Sequence, residues 1–334
     1  MVNIGLIGLG GVGTYHFYNS MRLHNARLIA VADISRKSRN LAKSKGVKKV
    51  YEDYQKLLGN PDIDCVIISL PNYLHAECAI MAAEHGKHFL IEKPLARNVK
   101  EGKEIVSKAR KTGVKTMVGY PLRFSEFTKI KKEIDKGYLG DVVTAMTTFV
   151  SSGPFFQRSS NASVPLPVPS WWFQRELVGG GALLDLGCHM INLLLFYFGH
   201  DIASVKSLLG QRFNLPYEDH ALCFIKFKKG TSAIVNAGWC SPERIIKVDL
   251  YGTAKHMSES SKSPTLLDYA KSVIKRQSIN PPPAFHKELQ YFVDCVNSDT
   301  SPSPSAEEAL EDLNVISKAY QHAFKLEPES EQNK

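Results

Sequence analysis

VNIGLIGLGGVG, residues 2–13, joins an apolar run to a glycine-rich turn and decides the fold of the first part of the chain. Apolar and β-branched residues dominate positions 2–7, which predicts a short buried strand. Gly8, Gly10 and Gly13 follow in the G-x-G-x-x-G spacing and are predicted to open a helix. Such a turn lets backbone N–H groups approach a pyrophosphate, which the helix N-terminus then stabilises. The stretch therefore predicts a Rossmann dinucleotide-binding fold.

Strand-like runs alternate with helical segments over the first third of the chain. RLIAVAD, DCVIISL, KHFLIEK and KTMVGY are separated by amphipathic stretches such as VKEGKEIVSKARKTG, which is typical of a parallel, doubly wound sheet. Asp33 closes the second strand, where its carboxylate would accept hydrogen bonds from the adenosine ribose and repel a 2′-phosphate. NAD is therefore the predicted cofactor. NADP stays open because Ser35, Arg36 and Lys37 follow directly and could hold a phosphate.

Three segments end at the carboxyl edge of this sheet, where ligands bind in open α/β folds. They are SLPNYLH at 69–75, IEKP at 91–94 and GYPLRF at 119–124. Because proline restricts the residue before it, Lys93 is expected to be extended at the cleft. A lysine held between Glu92 and Pro94 at a cofactor edge is predicted to be functional rather than a solvated surface charge.

The composition is that of a globular protein, with 334 residues, 43% of them hydrophobic and 22% charged. No apolar run approaches the ~18 residues of a membrane span, and the N-terminus does not match a signal peptide. The 6 cysteines form no C-x-x-C pair, which predicts a reduced, cytoplasmic setting without disulfides or structural zinc. The net charge of +9 lacks a basic stripe interleaved with aromatics, so no nucleic-acid partner is predicted. The lysine clusters are interpreted as solvated faces, and a positive field that attracts an anionic substrate or cofactor is the less favoured alternative.

From about residue 121 the pattern changes to strands with hairpin-type spacing, which predicts a mainly antiparallel sheet in an α+β domain. Residues 151–170 and 256–284 are predicted to be irregular, the first as a lid or an oligomer arm. SAEEALEDLNVISKAYQHAF is an amphipathic helix with Ser305 as its cap. We divide the chain into a dinucleotide-binding domain at 1–120, a substrate-binding and oligomerisation domain at 121–326 and a disordered tail at 327–334.

GGGALLDLGCH, residues 179–189, places an Asp and a His in an otherwise apolar segment. If residues 182–198 form one helix, Asp185, His189 and Asn192 share a face. Burying an unpaired carboxylate is costly, so this polar line must pair internally or border a hydrated cavity. The three glycines would allow close approach by another molecule, which favours a ligand cavity over a satisfied core histidine. A metal pair at i, i+4 has no evident third ligand, and no metal is predicted.

These motifs carry a family resemblance. Apart from its tail, the chain resembles the glucose–fructose oxidoreductase / inositol dehydrogenase (Gfo/Idh/MocA) family of nicotinamide-dependent dehydrogenases, through GLGGVGTYH, SLPNYLH, EKP, GYPLRF, WWFQRELVGGG and DLGCH. The resemblance implies that Lys93 contacts substrate and nicotinamide, that Asp185 binds substrate hydroxyls and that His189 is the general acid/base. Asn192 departs from the Asp that most relatives carry three positions after that His.

The motifs and the resemblance together define two sets of ligand-binding residues and imply a homodimer or homotetramer. The residues expected to bind the cofactor are Gly8, Gly10, Val12, Gly13, Asp33, Ser35, Arg36, Ser69, Leu70, Pro71, Asn72, His75, Glu92, Lys93 and Arg123. The residues expected to bind the substrate are Lys93, Tyr120, Arg123, Trp172, Asp185, His189 and Asn192.

The expected reaction is oxidation of a secondary hydroxyl on a sugar, cyclitol or nucleotide sugar. The substrate would lose hydride to the nicotinamide while His189 takes the hydroxyl proton, a task that suits an imidazole with a pKa of about 6.5. Lys93 would stabilise the developing alkoxide. Two alternatives stay open: a lyase or hydrolase that cycles a retained NAD, and a non-catalytic NAD(P)-binding regulator.

Overall fold

The computed structural model of the chain describes residues 1–153, 169–262 and 282–324, together with the backbone of short strands at 157–158 and 165–166. The first sheet is parallel throughout, in the order β3-β2-β1-β4-β5-β6, which confirms the predicted doubly wound fold. Its strands are β1 (Val2–Ile7), β2 (Ala26–Ala32), β3 (Lys49–Tyr51), β4 (Cys65–Ile68), β5 (His88–Glu92) and β6 (Thr116–Gly119). The connecting helices are α1 (Gly11–Ser20), α2 (Arg36–Ser44), α3 (Tyr54–Leu58), α4 (Asn72–Glu84) and α5 (Val99–Thr112).

The second sheet has the order β10-β11-β12-β7-β13-β14. Its neighbouring strands are antiparallel except β12 and β7, which run parallel, so the predicted mainly antiparallel sheet is confirmed. The strands are β7 (Val142–Val150), β10 (Ile202–Gly210), β11 (His220–Phe227), β12 (Ser232–Gly238), β13 (Ile245–Gly252) and β14 (His256–Lys262). Two short strands, β8 (Gln157–Arg158) and β9 (Pro165–Leu166), pair separately.

The two segments predicted to be irregular are residues 151–170 and 256–284. The prediction for 256–284 is wrong at its start, because 256–262 forms the edge strand β14. Its serines and single glutamate gave no apolar alternation, and pairing with β13 decides the structure instead. Most of 151–170 and the predicted tail at 327–334 lie outside the described residues.

The helices that follow β6 include the segment that contains Asp185 and His189. They are a 3₁₀ turn (Pro121–Phe124), α6 (Thr128–Asp135), a second 3₁₀ turn (Ser170–Phe173), α7 (Arg175–Val178), a π-helical turn (Leu183–Gly187), α8 (Cys188–Phe198), α9 (Pro283–Asn297) and α10 (Ala306–Gln321). The stretch Arg175–Phe198 is long and apolar enough to cross a membrane, yet 83% of its apolar window is buried. Its surroundings are those of a core helix.

The last two helices return to the first sheet. Leu289 and Phe292 of α9 are fully buried and join the apolar cluster formed by Ile4 and Leu6 of β1 and Phe17 of α1. Because α9 follows the second sheet in the chain yet packs on the first, the architecture is interleaved. The division at residue 120 stays a prediction.

Helix α10 packs against α5, α8 and β10 and begins where the sequence predicts. The Ser305 hydroxyl accepts a hydrogen bond from Glu308 N at 3.3 Å, and Glu308 Oε2 accepts one from Ser305 N at 2.7 Å. This capping box satisfies two backbone donors that a helix start leaves unpaired, and it confirms Ser305 as the cap.

Candidate active site

The glycine turn after β1 is shaped for a ligand with a phosphate group. Gly8 has φ +89°, and a Cβ there would lie 2.1 Å from the Ser69 carbonyl oxygen. A Cβ at Gly13 would lie 2.2 Å from the carbonyl oxygen of Gly8, so neither position accepts a side chain. Gly10, the N-cap of α1, has open space around its Cβ position and provides no side-chain cap. The first N–H groups of α1 are thereby left to a bound anion.

Asp33 is held at the end of β2 by two backbone donors. Leu9 N donates to its Oδ2 at 2.6 Å, and Ser35 N donates to its Oδ1 at 2.7 Å. Each carboxylate oxygen can still accept a further hydrogen bond, so the two oxygens can bind the two hydroxyls of a ribose. Ser35 itself caps α2 by accepting from Ser38 N, and Arg36 is exposed beside it. The turn and Asp33 together fit NAD.

His75 and Asn72, both predicted to bind the cofactor, make contacts within the protein. The two ring nitrogens of the fully buried His75 lie 2.8 Å from the Pro94 carbonyl oxygen and 2.9 Å from that of Leu70. Asn72 Nδ2 donates to the Val178 carbonyl oxygen at 2.9 Å. These contacts tie together the segments after β4 and β5 and the start of the glycine run, so both residues position the cleft loops. Direct contact with the cofactor stays a prediction for both.

Glu92 supports the lysine that follows it. Its Oε1 lies 2.6 Å from Nε2 of the fully buried His16, and its Oε2 accepts from Lys93 N at 3.3 Å. The carboxylate is 7% exposed, and the imidazole offers it a partner inside the protein. Glu92 therefore holds the backbone of Lys93 from behind the cleft.

Lys93 and Asp185 meet across the two sheets. Lys93 Nζ donates to Asp185 Oδ1 at 2.6 Å and to the Asp185 carbonyl oxygen at 2.8 Å. Burial alone would lower the pKa of Lys93, but the Asp185 carboxylate outweighs it and the pKa is raised. Trp239 Nε1 donates to Asp185 Oδ2 at 3.1 Å. The carboxylate is thus fixed from both sides, and the lysine is a cation.

Asp185 lies in a widened turn within the helix that was supposed from the sequence over 182–198. Residues Leu183–Gly187 form a π-helical turn, and α8 begins only at Cys188. Such turns are local distortions of an α-helix and often occur at functional sites. Here the turn presents the Asp185 carbonyl to Lys93, which a continuous α-helix would keep for its own ladder. Residues 182–198 are helical throughout, as was supposed from the sequence, and the π-helical turn is a local distortion within that helix.

His189 lies in the first turn of α8 and is 8% exposed. Its ring centroid is 5.6 Å from that of Tyr120, edge to face, and 5.4 Å from that of Phe149. Burial lowers the pKa of His189 well below the ordinary value, and the positive charges of Lys93 and Arg244 lower it further. Nδ1 has no hydrogen-bond partner among the described residues. The imidazole is therefore neutral at pH 7 and able to accept a proton.

Asn192 and Arg123 belong to a separate polar cluster farther along α8. Asn192 Nδ2 donates to Asp312 Oδ2 at 2.9 Å, and Arg123 Nη1 lies 3.5 Å from Asn192 Oδ1. The Arg123 guanidinium stacks 3.8 Å over the Phe196 ring and donates to Ser303. Burial raises the pKa of Asp312 to about 8, against the opposing effects of Asn192 and the Tyr120 hydroxyl. The structure does not bring Asn192 or Arg123 to the Lys93–Asp185 pair, and their ligand contacts stay predictions.

Trp172 lies beside the indole that binds Asp185. Its ring centroid is 6.0 Å from that of Trp239, and Trp171 stacks on it at 5.2 Å. The hydroxyl of Tyr217 donates to the Trp172 carbonyl oxygen. Trp172 therefore packs against the indole that binds the Asp185 carboxylate, and its contact with a substrate stays a prediction.

Comparison with known proteins identifies the family. Residues 2–120 match the GFO/IDH/MocA oxidoreductase family with its NAD-binding Rossmann fold, and residues 127–258 match the GFO/IDH/MocA C-terminal domain. The chain belongs to the GFO/IDH/MocA family. The resemblance stated from the motifs is thereby confirmed, as are NAD as cofactor and oxidoreductase as class.

Several characterised proteins are similar to this GFO/IDH/MocA chain. The NAD⁺-dependent scyllo-inositol 2-dehydrogenase of Bacillus subtilis is 28% identical, over 94% of this chain and 92% of that protein. The myo-inositol 2-dehydrogenase of Thermotoga maritima is 26% identical, over 70% of this chain and 68% of that protein. The scyllo-inositol dehydrogenase of Lactobacillus casei, solved with NAD(H) and scyllo-inositol, superposes with a TM-score of 0.77 at 19% identity, over 97% of each chain. At that identity the structural likeness shows the fold alone.

Gly179, Gly180 and Gly181 of this GFO/IDH/MocA enzyme were expected to allow close approach by a ligand, but they are packed against other parts of the same chain. A Cβ at Gly181 would lie 1.8 Å from the Glu218 carbonyl oxygen, and one at Gly180 would lie 2.4 Å from the Tyr320 hydroxyl. Glu218 Oε1 accepts from Gly181 N at 3.2 Å, Leu183 N at 3.1 Å and the Tyr320 hydroxyl at 2.8 Å. The close approach is thus made by backbone and side-chain atoms of the same chain rather than by a ligand. Glu218 caps the turn that carries Asp185.

Trp239, Glu218 and Arg244 are the functional-site residues that the sequence did not single out. Trp239 directly follows strand β12 and is buried. Because a buried indole N–H needs a hydrogen-bond acceptor, a tryptophan at this position could have been predicted to bind a polar group. Glu218 precedes β11 by two residues. The pair Glu218-Asp219 is one more sequence feature that resembles the family, but no role was predicted for Glu218. Arg244 lies on a loop between strands, where the sequence offered no periodicity to place it.

Proposed function

We propose that this enzyme oxidises a secondary hydroxyl of a sugar or cyclitol with NAD, using His189 as the general acid/base. The observation that carries the proposal is the contact between Lys93 Nζ and Asp185 Oδ1 at 2.6 Å, four residues before His189. It joins the cofactor edge of the first sheet to the helix that bears the imidazole. Relatives named as scyllo-inositol and myo-inositol dehydrogenases support a polyol as the substrate class.

The residues divide the chemistry between them. Asp185 and Lys93 can together accept from and donate to neighbouring substrate hydroxyls, which orients the carbinol carbon. Bound NAD supplies the acceptor for the hydride. His189, neutral because of burial, takes the hydroxyl proton, and the Lys93 ammonium stabilises negative charge as it develops on the oxygen. Tyr120 and Phe149 pack against the imidazole and keep water from its sides.

The cofactor preference follows from Asp33. Because two backbone N–H groups fix its carboxylate, a 2′-phosphate would meet an immobile negative charge, which supports NAD over NADP. Arg36 is exposed next to it and is the residue that could offset this repulsion. We therefore expect NAD to be used with the higher kcat/KM and NADP to be accepted weakly.

The test is a reduction assay with NAD and NADP, separately, across inositols, free sugars, anhydrosugars and nucleotide sugars. Substrate-dependent formation of reduced nicotinamide, lost in His189→Ala, supports the proposal. Product release without net reduced nicotinamide would instead favour the enzyme that cycles a retained NAD. NAD binding with no conversion of any substrate would favour the non-catalytic regulator.

The exposed face of the second sheet supports a homo-oligomer. Phe224, Ile234 and Met146 lie side by side in one register row across β11, β12 and β7, and Phe224 and Met146 are 36% and 44% exposed. Lys206 and Asp249 flank this row, so a two-fold related copy would bring opposite charges together. Met146→Lys is expected to shift the sedimentation coefficient to that of a smaller species. An unchanged sedimentation coefficient would contradict this interface.

The cytoplasmic setting of the protein stays a prediction.

A further inference from the structure

One buried carboxyl on α10 reaches the helix that bears His189. Asp312 lies within α10 and is 1% exposed. Its Oδ2 accepts a hydrogen bond from Asn192 Nδ2 at 2.9 Å, across 120 positions of the chain. Asn192 is buried and lies on α8, in the turn that follows His189. The contact therefore joins α10 to the part of α8 next to the imidazole.

The amide of Asn192 is held at both of its ends. Nδ2 donates to Asp312, and Oδ1 faces Arg123 Nη1 at 3.5 Å. Arg123 is fixed in turn by the Phe196 ring, whose centroid is 3.8 Å from the guanidinium carbon, and by the Ser303 hydroxyl at 2.9 Å. Both polar atoms of the Asn192 amide are therefore engaged within the protein.

This polar contact restrains α8 in a way that its apolar contacts do not. Most other side chains of α8 are apolar and buried. Apolar contacts are non-directional, whereas a hydrogen bond has a preferred distance and angle. Turning α8 about its axis would break the Asn192–Asp312 hydrogen bond and leave buried polar groups unpaired. The contact therefore favours one rotation of the helix, and with it one direction of the His189 ring.

Tyr120 connects the same carboxyl to the imidazole by a second route. It directly follows β6 and is 2% exposed, and its ring packs edge to face on His189 with the centroids 5.6 Å apart. Its hydroxyl acts by hydrogen bonding on Asp312 and on the thiol of Cys188, the residue before His189. Asp312 thus acts on the helix that carries the imidazole and on the ring that packs against it.

We infer that Asp312 is a positioning residue that holds His189, through Asn192 and Tyr120, in the orientation needed to take the hydroxyl proton. The inference deepens the proposed function and rests on it for the role of His189. Proton transfer requires the base within hydrogen-bonding distance of the hydroxyl, and a misplacement of about 1 Å can slow a reaction about 100-fold. A buried carboxyl also has a desolvation cost that an apolar side chain would avoid, as expected of a group kept for orientation.

The variants remove this contact from either side or preserve it. Asp312→Ala and Asn192→Ala each break the hydrogen bond. Burial raises the pKa of Asp312 to about 8, so the carboxyl is mainly protonated at pH 7 and Asp312→Asn is a neutral side chain of the same shape. The Asn carbonyl oxygen can still accept from Asn192.

Ser207→Ala is the matched control on the same helix. The fully buried Ser207 hydroxyl donates to the Ala319 carbonyl oxygen at 2.7 Å, about two turns farther along α10 than Asp312. Its loss removes one buried hydrogen bond of α10 and leaves those of Asn192 and Tyr120 in place.

The first experiment measures NAD reduction with scyllo-inositol and with myo-inositol at pH 7. Asp312→Ala and Asn192→Ala should each lower kcat by about 10- to 100-fold and change KM by less than about 3-fold, while Asp312→Asn and Ser207→Ala stay within about 3-fold of the wild type. Because both alanine variants break one contact, the double variant should be no slower than the slower single variant. Thermal midpoints and NADH binding by fluorescence show that each variant is folded.

Two kinetic results would overturn the inference. A raised KM with unchanged kcat in Asn192→Ala would assign Asn192 to the substrate. Losses that multiply in the double variant would show that Asp312 and Asn192 act independently.

Chemical modification of the imidazole tests the inference without turnover. Diethyl pyrocarbonate is added at pH 7, and the modified peptides are quantified by mass spectrometry. His189, 8% exposed, should react slowly in the wild type and in Asp312→Asn. It should react about 10-fold faster in Asp312→Ala, because losing a buried hydrogen bond eases local opening around the ring. His220, whose side chain is 48% exposed, is the internal reference and should react equally in every variant.

The two experiments together separate this inference from the proposed function. If His189→Ala is inactive but Asp312→Ala behaves as the wild type in both experiments, the proposed function stands and the inference fails. If Asp312→Ala makes His189 more reactive while kcat is unchanged, positioning by Asp312 is supported and the role of His189 as the base is contradicted. If the wild type oxidises neither inositol, the modification rates decide, and an unchanged rate at His189 in Asp312→Ala overturns the inference.

Discussion

Lys93, at the end of a strand in the first sheet, donates to both the carboxylate and the backbone carbonyl of Asp185, in the turn that precedes α8. This side chain therefore ties the start of α8 to the carboxyl edge of the first sheet. The two side chains are 18% and 19% exposed, so the pair is largely screened from water while one side stays open to a ligand. The arrangement couples the geometry of the substrate site to that of the nucleotide fold.

Breaking this pair should abolish activity and reduce stability. Lys93→Met keeps the length of the side chain but leaves the Asp185 carboxylate with Trp239 as a donor in a largely buried site. Unpairing a buried charge costs about 3–5 kcal/mol, and partial exposure of this pair places the expected loss at or below the lower end. Thermal unfolding and steady-state kinetics measure the two effects. Arg110→Gln, which breaks the exposed pair with Glu307, is the control and should leave both unchanged. Wild-type turnover in Lys93→Met would contradict the role of Lys93.

The pH dependence should report the lowered pKa of His189. Since the folded protein favours the neutral imidazole, the acid limb of kcat/KM should fall below pH 6.5, the ordinary histidine value. Arg244→Gln removes one of the two cations that act on the ring and should move this limb towards higher pH. An acid limb above pH 7 in the wild type would be inconsistent with the buried, neutral imidazole.

The same shift affects stability. An unfolded chain protonates His189 near pH 6.5, whereas the folded chain resists protonation. The contribution of His189 is therefore complete above pH 6.5, begins to fall below that value and keeps falling until the pH reaches the lower pKa of the folded state. His189→Gln should unfold with a weaker dependence on pH between about 5 and 7, as measured by denaturant titration. An unchanged pH dependence in the variant would show that the imidazole is not the responsible group.

Removing the Glu218 cap should disturb Asp185 without touching the ligand. Its Oε1 holds two backbone N–H groups and the Tyr320 hydroxyl, so Glu218→Ala leaves buried donors unpaired, each at a cost of about 1–3 kcal/mol. We expect a lower thermal midpoint together with a lower kcat, and a smaller loss in Tyr320→Phe. Asp53→Ala removes the cap of α3, far from the site, and should lower stability slightly with kcat retained. A kcat in Glu218→Ala equal to that of Asp53→Ala would refute the link to Asp185.

Cofactor choice should respond to Asp33. Asp33→Ser removes the charge that opposes a 2′-phosphate and keeps a hydroxyl for the ribose. The ratio of kcat/KM for NADP over NAD is expected to rise by about 10-fold or more, since an exposed charge interaction of this kind amounts to about 1 kcal/mol or more. Separate saturation curves for the two cofactors measure it. A ratio that stays at the wild-type value would place the adenosine ribose away from Asp33.

Local patterns in the sequence predicted the regular parts of the fold. The glycine spacing, the strand alternation and the Ser305 cap each depend on residues close in sequence, and each is found where it was expected. The π-helical turn was not predictable in this way, because distant groups, Glu218 and Lys93, hold it open. The sequence also placed Asp185 and His189 on one helix, and their roles stay predictions. Asn192 shares their sequence spacing, yet its amide turns to Asp312, a residue 120 positions later.

The packing of α9 on β1 and α1 has a consequence for how the chain matures. Ile4, Leu6 and Phe17 are synthesised before the helix that covers them, which is made only after residue 282. Until then the apolar surface formed by β1 and α1 is exposed in the growing chain, where chaperones or a second copy can bind it. That side of the first sheet is therefore covered only when residues 283–297 have been synthesised, and a fragment ending at residue 120 would expose it.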